Sequence, residues 1–262
     1  MKTGLSQRRA IVTGAAQGIG RSIVQSLASE GVLVAAFDLN AEGLQAALAA
    51  GATHTHTLDL AQRMAVAEAV DTCAAEWGGI DILVSNAGIA SSAPIEQTSL
   101  ALWNKNMDIL STGYFLVSRA AFRTFRAQGI GGAVIFVASK NGLAASPNAS
   151  AYCTAKAAEI HLARCLALEG AEAGIRVNVV NPDAVLRGSK IWSGEWLDQR
   201  ASTYKTDKDG LEEMYRQRSM LKRSVLPEDI AEAAYFLSSD LSAKSTGNIL
   251  NVDAGNVQAF TR

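Results

Sequence analysis

Tyr152 and Lys156, in the run Ser150-Ala151-Tyr152-Cys153-Thr154-Ala155-Lys156, are the residues whose types and spacing come nearest to chemistry. A free tyrosine titrates near pH ~10 and is a poor base at neutral pH. Four residues apart on a helix, two side chains share one face, about one turn apart. An ammonium held there favours the phenolate and lowers the tyrosine pKa, so that the phenol can move a hydroxyl proton near neutral pH. Alone the pair is a weak signal, because solvated helix faces produce it by chance.

A nucleotide site accompanies it. Residues 10–13 (Ala-Ile-Val-Thr) read as a short buried strand running into Gly14-Ala15-Ala16-Gln17-Gly18-Ile19-Gly20, and Ile23, Val24, Leu27 and Ala28 follow at helical spacing. Glycines at a strand-to-helix turn let the backbone fold tightly and let a pyrophosphate approach the helix N-terminus. The spacing Gly-x-x-x-Gly-x-Gly differs from the commoner Gly-x-Gly-x-x-Gly, but it sits in the required strand–turn–helix context. A second strand, Val32 to Phe37, ends at Asp38, whose carboxylate can accept hydrogen bonds from ribose hydroxyls and repels a 2′-phosphate. No Arg or Lys lies between Gly31 and Arg63, so NAD is expected over NADP.

Thr13-Gly14-Ala15-Ala16-Gln17-Gly18-Ile19-Gly20, Ser85-Asn86-Ala87-Gly88, Ser139 thirteen residues before Tyr152, and Lys156 occur in one order along the chain. Together they resemble the short-chain dehydrogenase/reductases, in their single-domain branch, over nearly the whole sequence. The resemblance implies that Ser139 binds the substrate oxygen, Tyr152 exchanges its proton, and Lys156 also holds the nicotinamide ribose. It implies cofactor contacts from Gly14, Gln17, Gly18, Ile19 and Gly20, from Asp38 and Leu39, and from Asp59 and Leu60 beside the adenine. Asn86, Ala87 and Gly88 flank the cofactor, and Pro182, Asp183 and Val185 lie at the nicotinamide. Substrate contacts are expected from Ser139, Asn141, Asn148, Tyr152, Arg187 and Trp192, with Lys140 and Lys190 as further cations. These polar groups suit a polyhydroxylated substrate with a carboxylate.

There are two departures from the family pattern. Trp103-Asn104 and Gly113 align with it, but the slot of the usual asparagine falls on Leu110, followed by Ser111. That asparagine supports a water in the proton relay behind the lysine, so either Ser111 or another water route substitutes, or the relay is changed. The second departure is Asn181-Pro182-Asp183, where Pro-Gly is usual. With Val179-Val180, Ser139-Lys140-Asn141-Gly142 and Ile191-Trp192-Ser193-Gly194-Glu195-Trp196, it resembles the dehydrogenases of rhamnose and related deoxysugar breakdown. That group includes the dehydrogenase half of fused aldolase–dehydrogenases, and no aldolase domain is expected in these residues.

Composition bounds the rest. With 262 residues, 48% of them hydrophobic, and net charge −1, one soluble domain with a large core is expected, and not a nucleic-acid binder. No apolar run approaches the roughly 18 residues of a membrane span. The first residues lack the apolar core of a signal peptide, so a cytoplasmic protein is expected. Cys73, Cys153 and Cys165 lack metal or redox spacing, and His54 and His56, flanked by threonines, have no third ligand nearby, so no metal is expected. Strands are expected near 10–13, 32–37, 54–58, 82–85, 133–138, 175–180 and 248–252, and helices near 18–30, 61–76, 99–128 (whole or broken), 150–171 and 227–238. This alternation predicts an α/β fold: a Rossmann-type doubly wound parallel sheet of about seven strands with helices on both faces, one domain over 1–262. Residues 186–224 interrupt the rhythm and are the expected substrate lid. Apolar faces on 104–128 and 150–171, with the resemblance, predict a homotetramer. The expected activity is NAD-dependent oxidation of a secondary alcohol on a small polar, sugar-derived molecule. The alternatives are ketone or aldehyde reduction by the same residues and a non-catalytic NAD-sensing protein.

Overall fold

Short runs of β-branched and apolar residues build β1 (Arg9–Thr13), β2 (Leu33–Asp38), β3 (His54–Thr57), β4 (Ile82–Ser85), β5 (Gly132–Val137), β6 (Ile175–Pro182) and β7 (Ile249–Val252). In the computed structural model they form one sheet in the order β3-β2-β1-β4-β5-β6-β7, every adjacent pair parallel. The described residues are 2–192 and 195–260; Ser193 and Gly194 of the expected lid lie outside them, as do the side chains of Lys190, Glu195 and Lys208. Between the strands run α1 (Gly18–Ser29), α2 (Ala41–Ala49), α3 (Arg63–Trp77), α4 (Leu100–Asn106), α5 (Gly113–Gln128), α6 (Ser150–Gly170), α7 (Glu195–Thr203), α8 (Lys208–Arg218) and α9 (Pro227–Ser238).

A strand's side chains alternate between faces, and both faces here are covered. Ile11, Phe37, Leu83, Phe136 and Val177 pack with α3, α5 and α6 on one side. Val12, Ala36, Val84, Ile135 and Val180 pack with α1, α2 and α9 on the other. Arg9 ties the start of β1 to the entry of β4: its Nε and Nη2 donate to Asp81 at 2.7 and 2.9 Å, and its backbone N–H adds a third bond at 2.9 Å.

Three elements go beyond the sequence reading. Helix α2 was not expected; its start is fixed by Asn40, whose side chain accepts from the Gly43 N–H at 3.1 Å. Of the two forms allowed for over 99–128, the broken one is found, and the break is a π-helical turn at Met107–Thr112, a device often found at functional sites. The expected lid contains a 3₁₀ turn at Lys190–Trp192, then α7 and α8. His54 and His56 are half-buried on β3, where His54 lies 3.2 Å from Glu76 and His56 packs edge-on against Phe37. No group of three or more metal-ligating side chains occurs among the described residues, and no described helix is long and apolar enough to cross a membrane.

Candidate active site

The carboxyl ends of the strands open into a cavity of about 290 Å³ at β1 and β4, where the strand order turns back. Local chemistry holds this end together. The Thr13 hydroxyl accepts the N–H groups of Asn86 (2.9 Å) and Ala87 (3.1 Å), while the Asn86 amide donates to the carbonyls of Thr13 and Gly14. Gly14 has φ +66°, and a Cβ there would sit 2.6 Å from the Cα of Ala87. At Gly20 a Cβ would lie 2.0 Å from the Gly14 carbonyl oxygen. The turn is therefore closed to side chains, and α1 starts directly from it. Gln17 gives α1 no side-chain cap, and the first turn holds no acidic residue. Its leading N–H groups remain available to an anion, and Gly18, Ile19 and Gly20 line the cavity.

Farther along the wall, Asp38 is held in place by the N–H groups of Ala16 (3.0 Å) and Asn40 (2.9 Å). Asp59 accepts from the Ala61 N–H at 2.9 Å, and Leu39 and Leu60 supply apolar surface. Gly14, Gln17, Asn86, Ala87, Gly88, Pro182, Asp183 and Val185 also line the space. A dinucleotide fits this wall: a tight glycine turn and an uncapped helix start for its phosphates, and an oriented carboxylate at the end of β2 for its ribose.

At the other end stand Ser139, Tyr152 and Lys156. Ser139 follows β5 in extended conformation, and its hydroxyl accepts the Asn141 N–H at 3.2 Å. Tyr152 is buried, with its ring 5.9 Å from that of Trp196. Lys156 Nζ donates to the Val137 carbonyl (3.2 Å) and to Glu159 (3.0 Å), and lies 5.4 Å above the Tyr114 ring. Burial pushes the Tyr152 phenol well above its ordinary pKa; a hydrogen bond with Ser139 opposes this, and the charge of Glu159 adds to it. The net direction is thus upward, against the lowering expected from Lys156. Its charge is shared with a fully buried carboxylate, and desolvation dominates.

Ser111 follows Leu110, which fills the slot of the usual asparagine. Its hydroxyl meets the Ala155 carbonyl (3.5 Å) and the Met107 sulfur (3.9 Å). Leu110 is fully buried against Gly88. Asp183, the departure at Asn181-Pro182-Asp183, is paired with Arg218 at 2.6 Å, and Asn256 adds a hydrogen bond at 2.8 Å.

Asn141 and Trp192 line the cavity, but Asn148 and Arg187 do not. Asn148 is exposed with φ +55°, and its carbonyl accepts from Ala93 and Ser92, so it serves a turn. Arg187 pairs with Glu228 on the exposed surface. The cavity instead includes Lys140, Trp196, Arg200 and Tyr215. Lys140 is buried and donates to Ser146. Arg200, only 1% exposed, donates to the Pro147 carbonyl and the Tyr204 hydroxyl and lies 5.2 Å from the Trp196 ring centre. The aromatic-rich insertion was the signal for the last three; which of its residues turn inward was not legible.

Residues 14–256 match the family model described as enoyl-(acyl carrier protein) reductase. The chain is 47% identical to the uncharacterised oxidoreductase YuxG of Bacillus subtilis, over 98% of this chain and 38% of that protein; it thus spans well under half of that longer relative. It is 37% identical to the D-threitol dehydrogenase of Mycolicibacterium smegmatis, over 96% of this chain and 93% of that one. The crystal structure of a short chain dehydrogenase from Mycobacterium paratuberculosis bound to NAD superposes with a TM-score of 0.87 at 28% identity, covering 97% of this chain and 99% of that one. A seven-stranded parallel sheet with a glycine turn after β1, and relatives alike over nearly all of these residues, lead to one assignment: the chain belongs to the short-chain dehydrogenase/reductase family of oxidoreductases.

Proposed function

We propose that this protein oxidises a secondary alcohol on a small polyhydroxylated, sugar-derived molecule, using NAD. The observation that carries the reading is that Ser139, Tyr152 and Lys156 share one cavity with the glycine turn, Asp38 and Asp59. The start of α1 would hold the pyrophosphate, Asp38 the adenosine ribose, Leu39, Asp59 and Leu60 the adenine, and Asn86 to Gly88, Pro182, Asp183 and Val185 the nicotinamide end. Bound there, NAD supplies the hydride acceptor. Ser139 donates a hydrogen bond to the substrate oxygen, Tyr152 takes the hydroxyl proton, and Lys156 orients the nicotinamide ribose. Asn141 and Trp192 border the substrate, and residues 186–224 act as the lid that excludes water.

The likeness to a D-threitol dehydrogenase supports a polyol or sugar-derived substrate. The narrower resemblance to deoxysugar-breakdown dehydrogenases rests on Asn181-Pro182-Asp183 and Ser139-Lys140-Asn141. Asp38, with no basic residue near it in sequence, supports NAD over NADP by at least about tenfold in kcat/KM. The test is a survey of polyols, sugar acids, deoxysugars and alcohols with both cofactors, following reduced cofactor formation. Turnover of small polyhydroxylated compounds with NAD is expected. Activity confined to long-chain or aromatic alcohols, or equal use of NADP, counts against it.

Reduction of a ketone or aldehyde is the second reading, and one observation favours it. Burial pushes the Tyr152 phenol up, toward the neutral form that donates a proton. Oxidation should accordingly quicken toward alkaline pH, where the phenol gives up its proton, and reduction should slow there.

A further inference from the structure

Lys156 has one charged partner among the described residues, and it is not part of the serine–tyrosine–lysine set. Glu159, one helical turn further along α6, is completely buried, and Lys156 is only 4% exposed. Both Glu159 carboxylate oxygens lie 3.0 Å from Nζ, but only Oε2 is placed to accept the hydrogen bond; Oε1 is sealed from solvent with no donor aimed at it. A buried ion pair of this kind gives little net stability, because desolvating both charges offsets their attraction. A leucine, Leu110, fills the slot of the usual relay asparagine, and Ser111 points elsewhere. We propose that Glu159 is a positioning residue of the active site: its carboxylate anchors Lys156 where the usual asparagine is missing, and balances the ammonium so that its charge does not draw the proton off Tyr152.

The inference rests on the reading of Tyr152 as the proton-exchanging group. The other titratable groups around the pair are Tyr114 from α5, Tyr152 and Cys153 from α6 itself, Asp183 at the end of β6, and Lys140 in the turn after Ser139. Asp183 is held by Arg218, and Lys140 by Ser146. Only Glu159 reaches Lys156 among them. Neutralising Glu159 leaves a net positive charge beside the phenol if Lys156 stays protonated, and no net charge if it does not. In neither case does the phenol hold its proton more tightly.

Tyrosine labelled with ¹³C at Cζ reports each phenol's ionisation without any substrate, and the Tyr152 resonance is identified by its loss in Tyr152→Phe. In Glu159→Gln, the Tyr152 midpoint should fall by about one pH unit or more, a tenfold gain in phenolate at a given pH. Removing both charges, in Lys156→Met with Glu159→Gln, should return the midpoint close to that of the wild type, since the pair is balanced there, whereas Lys156→Met alone, which leaves the carboxylate charge uncompensated, should raise it. Glu159→Asp, which keeps the charge but draws it back from Nζ, should move the midpoint in the same direction by less, and serves if Glu159→Gln does not fold. An unmoved or raised midpoint in a folded Glu159 variant, or a double variant whose midpoint lies as far below the wild type as that of Glu159→Gln alone, overturns the proposal. Failure of the functional reading looks different: Tyr152→Phe would retain turnover whatever the titration shows.

Discussion

At the scale of single residues, the catalytic reading turns on one oxygen. Tyr152→Phe removes the hydroxyl and leaves the ring against Trp196 in place. Turnover should fall by more than about a hundredfold, the usual worth of a positioned acid/base, with NAD affinity near that of the wild type. Steady-state kinetics alongside NADH-binding fluorescence checks both halves, and retention of a tenth of the wild-type rate would mean that the wrong base has been assigned. Tyr152 and Lys156 could be singled out by residue type and spacing and Ser139 by the family resemblance, and all three line one cavity. Glu159 stood in equally plain view three residues after Lys156, but a Lys-x-x-Glu pair reads as an ordinary solvated helix pair until burial is known. Arg218 was not legible as the partner of Asp183, because thirty-five residues separate them in sequence.

At the scale of elements, the central strands were legible because buried parallel strands leave continuous apolar runs, whereas the edge strand β3, His-Thr-His-Thr and only partly buried, has none. Helix α2 was missed because alanines dominate it and Gly43 interrupts it; its one clear mark was Asn40 as a cap. The π-helical turn left no periodic trace at all, since a single extra residue in a helix shifts the pattern without erasing it. The strand pair at the heart of the site rests on an ion pair that can be tested directly. Burial pushes the Asp81 carboxyl up, but the Arg9 hydrogen bonds and charge outweigh it and hold Asp81 below the ordinary range. A carboxyl depressed in the folded state stabilises the protein above its unfolded pKa of about 3.9, and that contribution is lost as pH falls through the folded value. Asp81→Asn leaves the Arg9 charge unpaired in a nearly buried position and should cost about 2 kcal/mol at pH 7. Urea midpoints of the two proteins should converge as pH drops below about 4. A gap that stays constant into acid would show that the carboxylate charge is not what stabilises the pair.

At the scale of the whole molecule, assembly is the remaining expectation, and the fold narrows where it can occur. Of the apolar residues on the two long helices, Leu116, Phe122, Ile160 and Leu166 are buried in the protein's own core. Leu162 packs against the same cluster, and Ile109 lines the cavity. What remains outward is Phe115, 43% exposed on α5, and Leu168, 82% exposed on α6. Isolated surface leucines are common, but two large apolar side chains on the long helices give a closed symmetric assembly somewhere to form. We propose a homotetramer built on these faces. Light scattering at micromolar concentration should give a mass of four chains of 27.5 kDa each. Phe115→Asp together with Leu168→Asp, both remote from the cavity lining, should reduce that mass while far-UV circular dichroism and NADH binding persist. A wild-type monomer would refute the assembly outright. A tetramer that tolerates both aspartates would keep the assembly but move its interface off α5 and α6.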